Sequence, residues 1–352
     1  MQKLIDIIIP AYNARDTLDR ALSSIAMQTV IDKIKVTIVS DGDNVYYGDI
    51  MARFREIMDV RVLDYVENRG VGYARQFGID KTNGKYLAFL DADDTFAGAY
   101  ALEMLLTKME SDNKFVVVVG NFFEKRKDMS FVKHENDMVW MHGKLYKRDF
   151  LDKYNVRFLA NSANEDVGFN TKIKYLENED ERICFLPNLV YYWHWTDTAI
   201  TKINNFDYTY NQSFFGYVDN MIDTIEFLKN SKCDNQYVDG FMIEVATQIY
   251  IYNLRIEENR PDLMDKVVKK SKEFYKKIIE KYEIFNVDKE LEEQGFVEEF
   301  ISKTMLEQMI NLRGIVPYMT FWDFIYLIGD DSNYIEKVCR RWGGKTLCFL
   351  NL

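Results

Sequence analysis

Residues 5–29, IDIIIPAYNARDTLDRALSSIAMQT, change periodicity partway along, and that change decides the fold class. Ile5, Ile7, Ile8 and Ile9 make an apolar, β-branched run of buried-strand length that stops at Pro10. Beyond it Leu18, Leu22, Ile25 and Thr29 recur every three or four residues, the spacing of one helix face, after a start signal in which Asn13 is the cap and Asp16 lies at the third helical position. Working outward, further apolar runs occur at residues 34–39, 60–66, 86–90 and 115–119, with helical spacing between them. Strand and helix in alternation predict right-handed βαβ crossovers: an α/β domain with a mostly parallel sheet and helices on both faces. Such sheets bind ligands beyond the carboxyl ends of their strands.

From about residue 206 the texture changes to long segments rich in Lys, Glu, Tyr, Phe and Ile with helical spacing. The expected organisation is an α/β domain over residues 1–205 and a mainly helical domain over residues 206–352 that binds the acceptor or joins copies of the chain. Residues 264–285 carry Lys266, Lys269, Lys270, Lys272, Lys276, Lys277 and Lys281 beside Val267, Phe274, Ile278 and Tyr282. A basic amphipathic helix of this kind is either a solvated face or a contact for an anionic membrane surface or partner.

Composition narrows the class. Of 352 residues 47% are hydrophobic and 29% charged, with only 4 Pro and 17 Gly, which excludes a collagen-like, low-complexity or intrinsically disordered chain. Lys and Arg number 45 against 56 Asp and Glu, a net charge of −11 that opposes generic nucleic-acid binding. Cys184, Cys233, Cys339 and Cys348 form no metal-site or disulfide spacing. The apolar run near the start is too short for an export signal, and residues 315–328, broken by Pro317 and Asp323, fall short of the roughly 20 residues a membrane-spanning helix needs. A cytoplasmic protein, acting there or at the inner face of the membrane, is the expectation.

Three strand ends are candidate ligand loops: Pro10-Ala11-Tyr12-Asn13, Ser40-Asp41-Gly42-Asp43-Asn44 and Asp91-Ala92-Asp93-Asp94. The last places several hard oxygen ligands in four residues, chemistry suited to Mg²⁺ or Mn²⁺ bridging to substrate phosphates. By itself such a cluster serves as well as a helix cap with a solvated turn.

In order and spacing, IDIIIPAYNARDTLDRALSSIAMQT, IVSDGDN (38–44) and ENRGVGYARQFGIDKTNGKYLAFLDADD (67–94) resemble the family 2 glycosyltransferases, nucleotide-sugar-dependent enzymes of the GT-A fold. HGKLYKRDFL (142–151), NEDVGFNTKI (164–173) and VYYWHWTDTAIT (190–201) are similar to that family's acceptor-side segments. The resemblance covers about residues 4–202. It implies transfer of a sugar from a nucleotide diphosphate donor, UDP-linked, to an acceptor hydroxyl with inversion, assisted by Mn²⁺ or Mg²⁺. It implies a donor site of Pro10, Ala11, Tyr12, Asn13, Asp41, Arg75, Asp91, Ala92 and Asp93, with Arg75 facing the diphosphate. Metal ligation falls to Asp93 and His194, with Asp94 as a further candidate, and the general base is Asp166. Glu165, Trp193 and His142 are expected on the acceptor side or behind it. His194 and Trp193 also read as packed side chains, Tyr12 as ordinary packing, Asp41 as a turn residue and Arg75 as a structural ion pair.

Three departures from the family pattern leave base and sugar selectivity open. Ser40-Asp41-Gly42-Asp43 stands where two acids followed by Gly-Ser are usual, Gln76 follows Arg75 where Asn is common, and Gln28 after the first helix is followed by Thr29 where Trp is often found. The implied acceptor is a glycan, polyol phosphate, lipid-linked sugar or protein, and homo-oligomers are compatible with the pattern. A sugar nucleotidyltransferase would share the sheet and metal but should carry a basic Gly-rich N-terminal phosphate loop, which is absent here. A catalytically silent GT-A-like binding module need not keep Asp91, Asp93 and Asp166 together.

Overall fold

The computed structural model describes residues 3–161, 163–196, 208–231, 235–284 and 321–329. It divides into two compact units, Met1–Asn205 and Phe206–Leu352.

In the first unit, β1 (Ile5–Ala11), α1 (Arg15–Ala26), β2 (Ile34–Asp41), α2 (Gly48–Phe54), β3 (Asp59–Tyr65), α3 (Val71–Asp80) and β4 (Tyr86–Phe89) realise the alternating pattern. β1 pairs in parallel with β2 and β4, and β2 with β3. A strand flanked on both edges and covered on both faces cannot alternate apolar with polar residues, which is why Ile5, Ile7, Ile8 and Ile9 are all fully buried. Asp6, buried in the same strand, is satisfied by the Gly84 N–H and by the Arg148 guanidinium at 3.0 Å.

The other half of the sheet is largely antiparallel. It is built from β5 (Thr95–Phe96), β6 (Phe115–Lys125), β7 (Phe131–His134), β8 (Lys144–Lys147) and β9 (Arg182–Trp193). Strand order is β3-β2-β1-β4-β8-β6-β9-β5, with β7 paired to β6. β8 lies antiparallel between β4 and β6, β9 runs parallel to β6, and β5 and β7 are antiparallel to their partners. The sheet is therefore mixed, and β8 and β9 carry downstream residues to the mouth of the parallel half. Helices α4 (Ala101–Glu110), α5 (Arg148–Lys153) and α6 (Glu165–Leu176) complete the unit.

Helix α1 corrects the reading of its ends. Its cap position is Ala14, with no side-chain capping bond, while Asn13 adopts a left-handed backbone at φ 51°. Leu18, Leu22 and Ile25 are buried as the spacing predicts, but Thr29 lies beyond the helix end, exposed, with its hydroxyl 2.5 Å from Glu103.

The second unit is helical throughout its described residues: α7 (Ser213–Asn230), α8 (Asn235–Asn259), α9 (Met264–Phe274), continued by a wider turn over Tyr275–Glu280, and α10 (Phe321–Ile328). Of the basic segment, Val267, Phe274 and Ile278 are fully buried. Within the unit Lys270 pairs with Asp219 and Glu273, Lys277 with Glu273 and Lys281 with Glu226. Among the described residues no helix is long and apolar enough to cross a membrane.

Candidate active site

The loop after β4 meets the start of α6 through one arginine. Arg75, on α3, is only 4% exposed. Its Nη2 donates to Asp91 Oδ1 at 2.7 Å and its Nη1 to Glu165 Oε1. Gly72 makes this meeting possible, because a Cβ there would lie 2.2 Å from the Leu159 carbonyl oxygen. Without a side chain, α3 presses onto the segment preceding α6, and the Gly72 N–H donates to the Asn161 carbonyl at 3.0 Å. Glu165 and Asp166 then occupy the first turn of α6, where the helix dipole favours negative charge.

Burial and mutual repulsion set the protonation of these groups. Burial alone would lower the Arg75 pKa, but Asp91 and Glu165 more than offset it and hold the guanidinium charged. Burial would likewise raise Asp91, yet Arg75 keeps its pKa below the ordinary aspartate range. Glu165 is raised by burial. Asp166 is pushed up to about 7, by burial first and by neighbouring Glu165 second, against the pull of Arg75. A carboxylate with a pKa near neutrality is suited to accept a proton in a reaction.

Next to this array Asp94, fully buried, accepts the Tyr191 hydroxyl and the His194 backbone N–H, both at 2.8 Å. Its pKa is pushed well above the ordinary range by burial and by Asp93. His142 Nδ1 lies 4.0 Å from Asp94 Oδ2, and the ring stacks on Tyr191 and contacts Trp193, with centroids 4.7 and 5.0 Å away. Lys144, buried and lowered to about 8 by burial, donates to the carbonyls of Trp140 at 2.5 Å and His142 at 3.3 Å and so shapes the turn that carries His142.

Asp91, Asp94 and His142 bring ligand atoms within 4.8 Å of one another. Two carboxylates and an imidazole suit a hard divalent cation. Asp93 and His194, the pair implied by the resemblance, are disposed differently. Asp93 is raised by burial and by Asp91, and its Oδ2 has the Thr196 hydroxyl at a long 3.4 Å, while His194 Nε2 lies 2.8 Å from Thr95 Oγ1. With both Asp94 oxygens already accepting hydrogen bonds, Asp93 offers the less committed carboxylate.

The nucleoside candidates flank the ends of β1 and β2. Tyr12 is 55% exposed at the β1 terminus, whereas Asp41 is buried and its Oδ1 accepts both the Tyr65 hydroxyl and the Arg69 N–H at 2.8 Å. Of the two readings of Arg75, diphosphate contact and structural ion pair, the second is visible here: the side chain lies between two carboxylates and orients Asp91 and Glu165. The sequence gives no role to Asp43 or Tyr47 and offers Asp94 as a further metal ligand rather than as the acceptor for Tyr191 and His194. Asp43 had left one signal, as an acid at an unusual position.

Residues 6–164 match glycosyl transferase family 2. Glycosyltransferase GlyA of Streptococcus pneumoniae is 27% identical over 233 residues, covering 56% of this chain and 32% of that protein. Uncharacterized glycosyltransferase EpsJ of Bacillus subtilis is 25% identical over 230 residues, covering 58% of this chain and 64% of the relative. The chain thus spans about a third of GlyA and just under two thirds of EpsJ. Among solved structures, S. aureus TarS 1-349 in complex with UDP-GlcNAc superposes with a TM-score of 0.65 at 15% identity, over 78% of this chain and 81% of that one. Identity that low establishes likeness of fold, which includes the GT-A sheet and a helical region after it. The sequence match runs from β1 to the threshold of α6, so residues 6–164 of the α/β unit are similar to glycosyl transferase family 2.

Proposed function

We propose that this protein transfers a sugar from a nucleotide diphosphate donor, UDP-linked, to an acceptor hydroxyl with inversion at the anomeric carbon. The observation that carries the reading is the array in which buried Arg75 binds Asp91 and Glu165 while Asp166, with a pKa of about 7, adjoins it. Asp166 takes the proton from the acceptor hydroxyl as that oxygen bonds to the anomeric carbon. The bond from carbon to diphosphate oxygen breaks, and its electron pair leaves on the phosphate. Pro10, Ala11, Tyr12, Asn13 and Asp41 hold the nucleoside, with Tyr12 offering its exposed ring to base or ribose. Asp91 and Ala92 border the donor sugar. Trp193 and His142 line the acceptor side, and Glu165, held by Arg75, anchors the first turn of α6 that carries Asp166.

A divalent cation, Mn²⁺ or Mg²⁺, would be held by Asp93 with His194, beside the donors of Asp91, Asp94 and His142. When bound it supplies charge neutralisation to the departing diphosphate. The helical unit serves acceptor binding or self-association, and the acceptor is a glycan, polyol phosphate, lipid-linked sugar or protein.

A donor screen tests this reading: purified protein, Mn²⁺ or Mg²⁺, individual nucleotide sugars and a nucleotide-release assay without acceptor. Slow release of UDP from one donor supports it. Release from none would overturn it, and binding without release would favour a silent module.

A further inference from the structure

The start of α1 has backbone N–H groups that need acceptors, and its cap residue, Ala14, has no side chain to provide one. The acceptors come from another part of the chain. The Asn13 N–H donates to Asp43 Oδ2 at 2.6 Å, and the Ala14 N–H donates to the Tyr47 hydroxyl oxygen at 3.2 Å. The Tyr47 hydroxyl in turn donates to Asp43 Oδ2, and the Ser40 hydroxyl donates to Asp43 Oδ1 at 2.7 Å. One carboxylate therefore gathers donors from the loop after β1, the end of β2 and the residue preceding α2. Arg15 adds a second tie, to the Tyr46 carbonyl and to Asp49.

This junction adjoins two nucleoside candidates. Tyr12 immediately precedes Asn13, whose left-handed φ of 51° is uncommon for a residue with a side chain and is held by the bond to Asp43. Asp41 adjoins Ser40, and Ser40 is the register partner of Ala11. We propose that Asp43, with Tyr47, is a positioning residue that fixes the entry to α1, Tyr47 taking the N–H of the cap residue and Asp43 that of the residue before it, and locks the Tyr12 loop to the Asp41 loop, so that both sides of the nucleoside pocket are set before a nucleotide arrives. The proposal rests on the functional reading above. It concerns an acid at the position where the family pattern noted for the sequence has Ser.

The test uses the full chain with Asp43→Ala, Asp43→Asn and Tyr47→Phe, and UDP as probe. Amide hydrogen exchange without nucleotide should show faster exchange at Asn13 and Ala14 in Asp43→Ala. UDP Kd and donor KM should rise about tenfold, as expected from losing a helix cap, with a much smaller change in kcat. Asp43→Asn, which keeps an acceptor oxygen, should recover part of the loss. Unchanged exchange in all three variants overturns the cap. Faster exchange with unchanged UDP affinity overturns its role in the pocket, as does a fall in Tm with KM unmoved. If Asp43→Ala does not fold, the other two variants carry the same comparison. Wild-type protein with no affinity for UDP overturns the functional reading and the pocket role together, whereas the exchange result reads the cap independently.

Discussion

Replacing Asp166 by Asn keeps the side-chain shape and removes the group that takes the proton, so it separates chemistry from binding. With Asp166 at about 7, the wild-type transfer rate should climb between pH 6 and 8, from about a tenth of the sites ionised to about nine tenths. The Asn variant should lose this pH dependence, with transfer lower by roughly 10²-fold to 10⁴-fold while donor affinity is retained. Stability should move the opposite way. The folded pKa lies above the unfolded one, so the stabilisation contributed by protonated Asp166 is complete below about pH 4 and is lost as pH rises through 7. Each pH unit between the two values is worth about 1.4 kcal/mol, giving an upper bound of roughly 4 kcal/mol, which partial exposure reduces. Asp166→Asn should accordingly be the more stable protein at pH 8 and close to wild type near pH 4. The assays are acceptor-dependent transfer across pH at saturating donor, calorimetric UDP titration and denaturant unfolding at two pH values. A variant with near-normal transfer, or a wild-type rate flat across pH 6 to 8, refutes the assignment of Asp166 as base. Equal loss of donor binding would make it a binding residue instead.

Chelator should abolish donor turnover, with Mn²⁺ or Mg²⁺ restoring it and Asp93→Ala beyond such rescue; a metal-stripped preparation with full nucleotide release would sink this. Glu165→Ala leaves the buried Arg75 guanidinium with Asp91 as its remaining carboxylate and should cost about 3–5 kcal/mol in denaturant unfolding, a loss that wild-type-like stability would contradict. Asp41→Ala should weaken UDP binding in calorimetry by about 1–3 kcal/mol, since the Tyr65 hydroxyl and the Arg69 N–H lose their acceptor at the pocket wall; unchanged affinity in folded protein removes Asp41 from the site. Gly72→Ala forces a methyl against the Leu159 carbonyl and should lower Tm along with transfer, and a variant matching wild type in both would show that α3 can retreat without cost.

The parallel half of the sheet was legible because its strands are apolar, largely β-branched runs, and burial on both faces removes polar interruptions from the central ones. In the other half only the apolar run of β6 stood out. β9 contains Pro187 and a mixed burial pattern, β5 spans only Thr95–Phe96 and β8 only Lys144–Lys147. Local pattern carries no information on how such short or interrupted strands pair. The aspartate segment after β4 was plain from composition and position, yet the part taken by Asp94 was not, since its partners Tyr191 and His194 lie about a hundred residues downstream. Asn13 had the composition of a helix cap but lost that role to its backbone geometry, which a bond from residue 43 decides.

The same distances explain how the site can be both acidic and buried. Asp91, Asp93, Asp94, Glu165 and Asp166 gather at the mouth of the sheet, with enclosed Arg75 between Asp91 and Glu165, and all of them except Asp91 have raised pKa values. A fold selected for stability alone would not concentrate carboxyls where burial and repulsion oppose their ionisation. The cost is tolerable because the surroundings are over-determined: β1 and β4 are buried on both faces, Gly72 sets the approach of α3, and Lys144 fixes the turn before β8. Excess negative charge at the mouth of the sheet makes the site receptive to a cation and leaves one carboxyl, Asp166, near the pKa at which a proton can be taken at neutral pH. Arg75 is the charge that lets Asp91 ionise while Glu165 and Asp166 remain poised above it.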